Sequence, residues 1–394
     1  MTGTHAGPAP AGPAPKGRIL YLSHEALFFT THRMPLGVAM RAAGFEVHVA
    51  APPDPKGIAR IEQAGLAFHP IPLARGGRNP LAELRLLAAI SYIVGQVEPD
   101  LVHHVSMKPV IWGGIATRLL GVPAVVHAIT GLGYLFIRSG PLAWAQRQAV
   151  KMLFRFALGH GNGRVIFQNG DDRDLFLRHG LARADRAVMI RGCGVDMTEF
   201  SPAAEPPGPP VVLFPARLIG DKGINEFVAA ARILKGRGVE ARFLLVGRHD
   251  PQNPTGVAPA QVEAWQREGL VEVQGYSEAM PQTLNAAHIV CLPSYREGLP
   301  RTLIEAAACG RAIVTTDVPG CREVVRHGEN GLLVPVRDGT ALAEALAALL
   351  ADPERRRSMA ARGREIALAE FSVERFVAES LDCYRSVLPP DRQP

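Results

Sequence analysis

A proline-rich stretch at residues 201–210, with the sequence SPAAEPPGPP, constrains the fold of this chain more than any other feature. Five of its ten residues are proline, which lacks a backbone N–H and therefore continues neither a helix nor the interior of a sheet. The stretch lies near the middle of a chain of 394 residues, which is too long for one ordinary hydrophobic core. We therefore predict an N-terminal domain over 18–200, a linker over 201–210 and a second domain over 211–372.

Both sides of the linker carry the same alternation of short apolar runs and amphipathic segments. Such runs predict buried parallel strands, and the segments between them predict crossover helices. The strands predicted before the linker are Arg18–Ser23, Glu46–Ala51, Leu101–Val105, Ala124–Ile129 and 164–168. Those predicted after it are Val211–Pro215, 243–247, 288–293 and Ala312–Thr316. The expected fold class is α/β, with two Rossmann-like domains that face a cleft. The tail over 373–394 is predicted to be a helix that packs back on the N-terminal domain.

Composition excludes several classes of protein. Residues 1–17 are rich in Pro, Ala and Gly and lack an apolar core segment, which predicts a disordered leader and not a signal peptide. The five cysteines form no Cys-x-x-Cys pair, which disfavours a disulfide framework or a zinc site and fits a reducing cytosol. No run approaches the roughly 20 apolar residues that span a bilayer, and the shorter run at 86–97 is interpreted as a buried helix.

Charge is distributed unevenly between the two halves. Residues 1–190 hold 20 Lys and Arg against 11 Asp and Glu, whereas residues 191–394 hold 23 against 26. The segment 101–170 contains no acidic residue. A one-sided positive field suits an anionic partner, which leaves a lipid surface, a phosphorylated acceptor or a nucleic acid.

The second half contains a strand-to-helix turn that carries two carboxylates. The predicted strand 288–293 leads to Glu297 and then to a helix start, with Pro300 placed as the first helical residue. The free amides of a helix start bind anions, so those of Arg301 and Thr302 are suited to a diphosphate. Glu297 and Glu305 would then lie on either side of the diphosphate, where their carboxylates are suited to bind the hydroxyls of sugars. The alternative is that both are ordinary capping and solvated helix residues.

A second turn at the same predicted sheet edge carries two cations. Arg217 and Lys222 lie between the strand Val211–Pro215 and the helix predicted at 223–234. Surface cations are common at turns, so this pair alone indicates little. Together the two turns bring two carboxylates, two cations and a helix start to one edge of the sheet, which predicts a site for a nucleotide sugar.

The residues around these turns resemble the E-x7-E signature of GT-B retaining glycosyltransferases of family 4. The resemblance covers nearly all of residues 211–340 and includes 275–277, 292–294, 297–301, 305–306, 319–323 and 330–335. It implies that Glu305 binds the nucleotide ribose, that Glu297 binds the donor sugar and that Arg217 and Lys222 hold the diphosphate. Gly298, Leu299, Arg301 and Thr302 would complete the donor site. It also implies no cofactor and no metal, because cations and amides would stabilise the departing UDP directly.

The first half resembles, more loosely, a subgroup that extends polyprenyl-diphosphate-linked sugars on the cytoplasmic face of bacterial membranes. The resembling segments are 28–36, 103–109 and 130–133. The acceptor site is accordingly predicted at His32, Arg33, Lys108, Thr130 and Gly131. For Lys108, which is the candidate for an acceptor phosphate, the alternative is a solvated loop lysine.

The histidines of the first half require separate interpretation. Many family members carry a histidine after the strand that here is Ala124–Ile129, and this chain does not. We interpret His127, which lies earlier in that strand, as a buried residue without a catalytic role. His103 and His104 point to opposite faces of their strand, so at most one of them faces the cleft.

The helix predicted over Pro141–Leu158 has an apolar face and a basic stripe of Arg147, Lys151 and Arg155. Trp144, Phe154 and Leu158 lie among the basic residues. A basic stripe with interleaved aromatic residues is typical of an interfacial helix on anionic lipid. The alternative is an ordinary solvated face.

The combined hypothesis is a retaining glycosyltransferase that moves an N-acetylhexosamine or a hexose from a UDP-sugar to a lipid-linked saccharide. It would act in cell-surface glycan synthesis, in the cytoplasm and peripherally on the inner face of the plasma membrane. Transfer would take place on one face of the sugar, with the leaving phosphate helping to deprotonate the acceptor. One alternative is a non-hydrolysing UDP-sugar epimerase. Another is a non-catalytic module that binds membranes or nucleic acid, although the basic half contains no recognisable nucleic-acid module.

Overall fold

The computed structural model describes residues 15–74, 79–131, 141–251 and 253–394, and for residues 141–145 only the backbone. Most of the predicted leader therefore lies outside the described residues, as do the side chain of Trp144 and the residues after Gly131 in the motif 130–133. The described chain forms two parallel sheets covered by helices, which confirms the prediction of a GT-B fold with two Rossmann-like domains.

The first sheet has seven strands in the order β3-β2-β1-β4-β5-β6-β7. Its strands are β1 (Arg18–Ser23), β2 (Glu46–Ala51), β3 (Ala67–Pro70), β4 (Leu101–Val105), β5 (Ala124–Ile129), β6 (Gly163–Phe167) and β7 (Ala187–Met189). The second sheet has six strands in the order β10-β9-β8-β11-β12-β13. Its strands are β8 (Val211–Pro215), β9 (Arg242–Val246), β10 (Glu272–Gly275), β11 (Ile289–Leu292), β12 (Ala312–Thr316) and β13 (Gly331–Val334).

Helices cover both sheets. Those of the first half are α1 (Ala26–His32), α2 (Met34–Ala42), α3 (Pro55–Gln63), α4 (Pro80–Val97), α5 (Gly114–Leu119), α6 (Pro141–Leu158) and α7 (Gly170–Arg178). Those that follow are α8 (Ile224–Gly236), α9 (Pro259–Arg267), α10 (Met280–Asn285), α11 (Arg301–Ala308), α12 (Pro319–Val324), α13 (Gly339–Ala351), α14 (Pro353–Glu370) and α15 (Val373–Arg385). The central strands β4, β5, β8, β11 and β12 are buried along their whole length, because helices cover both faces of each sheet.

Two of the predicted helices differ in the structure. The crossover helix predicted between Arg18–Ser23 and Glu46–Ala51 is interrupted at Arg33, whose backbone (φ −133°, ψ −9°) leaves the helical region and separates α1 from α2. The helix α11 begins at Arg301, so Pro300 lies just before the helix and not in its first position.

The chain crosses between the two domains twice, and the two crossings are joined by hydrogen bonds. After α14 the chain returns to the first domain, where α15 packs on α2 and buries Phe376 and Tyr384 in the core beneath β1. The N–H of Val195 donates to the carbonyl of Phe371 at 3.0 Å, and the N–H of Val373 donates to the carbonyl of Val195 at 3.1 Å. Gly194 (φ +68°) permits this approach, because a Cβ there would lie 2.5 Å from Cα of Val373.

Among the described residues, one helix of 18 residues, α4, is long and apolar enough to cross a membrane by length and composition. Leu86, Ile90 and Val94 on this helix are buried in a core shared with strands β1 and β4. This packing is that of a helix covering a sheet, and a single such helix is weak support for a membrane span.

Candidate active site

A cavity of about 910 Å³ lies between the two domains, at the carboxyl ends of the strands of both sheets. Ligands of open α/β sheets bind at this edge. Eleven of the thirteen residues proposed from the sequence line the cavity. From the second half these are Arg217, Lys222, Glu297, Gly298, Leu299, Arg301 and Thr302, and from the first half His32, Lys108, Thr130 and Gly131.

Two strand-to-helix turns of the second sheet form the donor wall. The turn after β8 carries Arg217 and Lys222, and the turn after β11 carries Glu297 and the start of α11. Gly223 (φ +77°) holds the two turns together, since a Cβ there would lie 2.0 Å from the carbonyl oxygen of Pro293. The close approach of these turns explains why residues 75 positions apart in sequence meet in the site.

The cations of the donor wall are already paired with carboxylates. Nζ of Lys222 lies 2.5 Å from Oε1 of Glu297, and both side chains are largely buried. Arg217 is paired with Asp250. A diphosphate in this cavity would compete with these carboxylates for the two cations. These ion pairs hold the two cations in place. Each cation can pair either with its own carboxylate or with a phosphate of the ligand.

Glu305 lies behind the cavity wall and not in the wall itself. It is 8% exposed and accepts a hydrogen bond from Nε of Arg301 at 2.7 Å. Burial raises the pKa of Glu305, and the Arg301 guanidinium opposes that rise. Arg301 itself lines the cavity and also donates to the carbonyl of Thr31 in the first half. Arg301 therefore connects Glu305, the residue predicted to bind the ribose, to the first half of the chain.

The first-half side of the cavity forms the acceptor wall, which includes His32, Lys108, Thr130 and Gly131 and meets the donor wall at Gly298. A Cβ on Gly298 would lie 2.0 Å from the carbonyl oxygen of Thr130, so no larger residue fits there. Nδ2 of Asn169 donates to the carbonyl of Gly298 at 2.7 Å. Beside this contact, Arg296 and Asp172 form an ion pair of 2.5 Å in which Asp172 is only 1% exposed. The loop that carries Glu297 is therefore held in place by the first domain.

Lys108 and His32 line the acceptor wall. Nζ of Lys108 lies 2.6 Å from Oε1 of Glu83 and 2.7 Å from the carbonyl oxygen of Ala74. Nδ1 of His32 lies 3.1 Å from the carbonyl oxygen of Phe28 and must donate to it, which leaves Nε2 of the neutral ring as an acceptor. Burial, with smaller contributions from Arg301 and Arg33, holds the pKa of His32 well below its usual range. His32 is therefore a neutral group in the cleft.

The structure does not bring Arg33, which was predicted in the acceptor site, into the cavity. Arg33 is 2% exposed, does not line the cavity and lies over the ring of Phe376 at 5.1 Å from its centroid. The break between α1 and α2 turns its side chain towards α15. Burial lowers the pKa of the guanidinium. Arg33 therefore anchors the returning C-terminal helix.

The strand histidines are buried and do not line the cavity. His127 is 1% exposed, and its Nδ1 lies 3.1 Å from Nδ1 of His104 in a stacked pair of rings. His103, on the opposite face of β4, lies 2.6 Å from the hydroxyl of Tyr384. Burial lowers the pKa of all three imidazoles, to about 3 for His127. They belong to the core of the first domain.

Several residues of the cavity were not predicted from the sequence. His24 and Ser106 line the acceptor wall, and Tyr295 and Arg337 line the donor wall. The guanidinium of Arg337 lies over the ring of Tyr295 at 4.6 Å from its centroid. His24 and Ser106 each directly follow a strand of the first sheet, and this position in the chain is the signal that would have identified them.

Within the described residues there is no group of three or more His, Cys, Asp or Glu side chains that could hold a metal ion.

Comparison with known proteins identifies the two halves separately. Residues 196–366 match the family of glycosyl transferases group 1, and residues 18–168 match the glycosyl transferase 4-like family. The N,N'-diacetylbacillosaminyl-diphospho-undecaprenol alpha-1,3-N-acetylgalactosaminyltransferase of Campylobacter jejuni is 27% identical, over 89% of this chain and 94% of its own. The alpha-maltose-1-phosphate synthase of Mycolicibacterium smegmatis is 30% identical, over 81% of this chain and 87% of its own.

A solved structure supports the fold. HepE of Anabaena, determined in complex with UDP and glucose, superposes with a TM-score of 0.73 at 20% identity, covering 94% of this chain and 100% of its own. At this identity the likeness concerns the fold alone. Together with the sequence matches, it shows that this chain is a glycosyltransferase with the GT-B fold and belongs to the glycosyl transferases group 1 family.

Proposed function

We propose that the chain is a retaining, UDP-sugar-dependent glycosyltransferase that extends a polyprenyl-diphosphate-linked saccharide. The observation that carries this proposal is the donor wall, where Arg217, Lys222 and the start of α11 converge on one cavity. Two cations and free helix amides suit a diphosphate, and the carboxylate of Glu297 beside them suits sugar hydroxyls. The sugar would be an N-acetylhexosamine or a hexose.

The nucleotide would lie along α11 with its ribose towards Glu305. Arg301 covers Glu305, so ribose binding requires the Arg301 side chain to share or leave that carboxylate. The group 1 match over the second domain supports this placement, as does the UDP and glucose complex of HepE, which has the same fold.

Bond cleavage would place negative charge on the departing UDP. Lys222 and Arg217 would neutralise that charge once a phosphate replaces Glu297 and Asp250 as their partners, and no metal would be required. None of the described first-half residues that line the cavity is Asp or Glu. This composition favours transfer on one face of the sugar, in which a phosphate oxygen of the leaving group accepts the proton of the attacking hydroxyl and UDP departs.

The proposed acceptor is a saccharide on a polyprenyl diphosphate. The relative from Campylobacter jejuni is named for a diphospho-undecaprenol acceptor and aligns over 89% of this chain. In the present cavity Lys108 is the first-half cation suited to an acceptor phosphate, which would compete with Glu83 for it.

A membrane-facing surface on the first domain would bring the enzyme to such an acceptor. Helices α4, α5 and α6 lie side by side. The described residues expose eleven large apolar side chains, and seven of these lie on α4, α5 and α6 or directly beside them. The seven are Leu81, Leu84, Tyr92, Leu119, Leu120, Met152 and Phe156. Arg147, Lys151 and Arg155 lie on the same α6 helix. Apolar and basic groups on adjacent helices suit an anionic lipid surface. We therefore propose a peripheral position on the inner face of the plasma membrane.

A donor screen with a synthetic polyprenyl-diphosphate-sugar tests this proposal. Transfer is measured as the mass gain of the lipid-linked product, and the anomeric configuration is read from its NMR coupling constants. Product formed only with soluble acceptors would contradict a lipid-linked acceptor, and an inverted anomer would contradict retention. Incubation with UDP-GlcNAc and no acceptor serves as the control, because only an epimerase would convert this sugar to its epimer.

A further inference from the structure

Three polar side chains form a hydrogen-bonded row along the acceptor wall. Nδ1 of His24 lies 2.9 Å from Oγ of Ser106, and Oγ of Ser106 lies 3.0 Å from Oγ1 of Thr130. The three residues directly follow β1, β4 and β5, which are neighbours in the sheet. Because parallel strands end at the same edge, the row runs across that edge, and all three residues line the cavity.

The middle residue of the row has a strained backbone. Ser106 has φ +79°, in the left-handed region that favours glycine. Two hydrogen bonds fix this conformation: the N–H of Ser106 donates to the carbonyl of Ala128 at 3.1 Å, and its carbonyl accepts from the N–H of Val110 at 3.0 Å. A serine at a position where glycine would be less strained points to a use for its hydroxyl, because strain of this kind concentrates at functional sites.

The row ends beside the loop that carries Glu297. The carbonyl oxygen of Thr130 lies so close to Gly298 that a Cβ there would be 2.0 Å away. The Thr130 hydroxyl is therefore on the side of the cavity where the proposed donor sugar meets the acceptor. His24 lies at the other end of the row, next to the ring of Phe28 at a centroid distance of 4.4 Å.

We infer that Thr130 binds a sugar hydroxyl at the point of transfer and that Ser106 and His24 are positioning residues that act through Thr130. This inference rests on the proposed function. When Nδ1 of His24 accepts, Ser106 donates to it, Thr130 donates to Ser106, and the Thr130 oxygen is left to accept from the sugar. When Nδ1 donates, the direction reverses and Thr130 donates to the sugar. In either arrangement the row sets, before substrate binds, whether the Thr130 hydroxyl accepts or donates, which lowers the cost of reorganisation during transfer.

The bound hydroxyl belongs either to the transferred sugar or to the acceptor, and kinetics distinguish the two. Thr130→Val, which removes the hydroxyl at constant shape, is expected to lower kcat/KM about tenfold, the effect of one hydrogen bond. Thr130→Ser is expected to recover most of the activity, and Thr198→Val, on the surface, serves as the control. If Thr130→Val slows both transfer and the acceptor-free hydrolysis of the UDP-sugar, the bound hydroxyl belongs to the donor. A loss in transfer alone, with a raised acceptor KM, assigns it to the acceptor.

Ser106→Gly separates function from folding. Glycine suits φ +79°, so we expect the Tm to rise by a few degrees while kcat/KM falls about tenfold. The double variant Ser106→Gly/Thr130→Val should lose little more than either single variant, because both break the same row. His24→Phe should show a smaller loss in kcat with unchanged UDP affinity.

Two results would overturn the inference. One is kinetics within twofold of the wild type in both Ser106→Gly and Thr130→Val. The other is a Ser106→Gly variant that loses stability and activity together, which would make the role of Ser106 structural. A wild-type protein that neither transfers nor hydrolyses any UDP-sugar would instead refute the proposed function.

Discussion

The two walls of the cleft come from domains with the same architecture, yet they present different chemistry. On the donor wall Lys222, Arg301 and Arg217 are paired with carboxylates of their own half, namely Glu297, Glu305 and Asp250. The acceptor wall holds a neutral His32 and the row of His24, Ser106 and Thr130, with Lys108 at its margin. The donor wall is built around ion pairs, and the acceptor wall is built mainly around hydrogen bonds between histidine, serine and threonine side chains.

This contrast separates two tasks of a transferase. A nucleoside diphosphate is a constant, highly charged group, which preformed ion pairs can exchange for phosphate. A saccharide acceptor is neutral where it reacts, so it requires oriented donors and acceptors of hydrogen bonds. The contrast predicts that substitutions on the donor wall affect turnover and nucleotide affinity, and that substitutions in the first half affect acceptor use, membrane binding and acid stability.

The largest expected effect comes from Lys222→Ala. We expect kcat to fall about 10²–10³-fold with UDP affinity changed only a few-fold, because in the proposed mechanism Lys222 stabilises charge that develops on the leaving group. Steady-state kinetics and calorimetric titration of UDP check the two values. Lys235→Ala, on the exposed end of α8, is the matched control. Wild-type turnover in Lys222→Ala would contradict the assignment of the donor wall.

The second effect concerns the first half alone. Replacing Arg147, Lys151 and Arg155 together by Gln should weaken binding to anionic vesicles about 100-fold, since each basic residue near a membrane surface contributes about 1 kcal/mol. Co-sedimentation with phosphatidylglycerol vesicles measures the change, and neutral phosphatidylcholine gives the baseline. The control changes Lys235, Arg355 and Arg357 of the second half to Gln. Equal loss in both triple variants would show that only net charge matters.

The third effect compares the two halves in acid. Burial holds the pKa of His127 at about 3, below the ordinary value of 6.5, and lowers the pKa values of His32, His103 and His104. Below pH 6.5 the unfolded chain therefore binds more protons than the folded chain. The stability that these neutral histidines contribute is fully present above pH 6.5 and is lost as the pH falls towards the folded-state pKa. At pH 5 we expect about 2 kcal/mol of lost stability for His127, or roughly 30-fold in the unfolding equilibrium.

Hydrogen–deuterium exchange at pH 7 and pH 5, corrected for intrinsic rates, measures this difference. The first domain should lose protection more than the second, in which His288 is the one described histidine with a lowered pKa. Equal loss of protection in the two domains would contradict the prediction.

The fourth effect returns to the donor wall. Glu305→Ala should weaken UDP binding about tenfold, because it removes a charged hydrogen-bond acceptor and leaves Arg301 without its buried partner. Titration calorimetry measures the affinity, and Glu354→Ala on the surface is the control. Unchanged UDP affinity would remove Glu305 from the nucleotide site.

The smallest effect is expected for Lys108→Gln. Lys108 is already paired with Glu83, so exchange of that carboxylate for an acceptor phosphate should change the acceptor KM only about fivefold. The donor KM should not change. Lys56→Gln, an exposed lysine of the same domain, is the control, and a higher donor KM in Lys108→Gln would place this lysine on the other side of the reaction.

Much of the fold could be predicted from the sequence because the central strands are buried on both faces. The bounds of β1, β2, β4, β5, β8 and β12 agree with the predictions, since a continuous apolar run is marked at both ends by polar or turn residues. The short edge strands β3 and β7 were not predicted. Each has an intermediate or exposed pattern of burial, so its sequence carries little hydrophobic signal.

The donor wall was easier to predict than the acceptor wall for a physical reason. Glu297 and Glu305 lie on one turn and one helix, so their spacing in sequence determines their spacing in the structure. The row of His24, Ser106 and Thr130 exists only because β1, β4 and β5 are neighbours, an order that no local pattern contains. Arg33 lies outside the cavity for a similar reason, because the break between two helices decides where its side chain points.

The paired crossings at Val195 and Ser372 have a consequence for how such enzymes can be recombined. The second domain is continuous in the chain, whereas the first is completed by a tail that comes after the second. A chimaera that exchanges only 196–371 would acquire a foreign donor domain and keep Phe376 and Tyr384 in their own core. A chimaera joined once, within the proline-rich linker, would replace that tail with a foreign one and would leave the core beneath β1 mismatched.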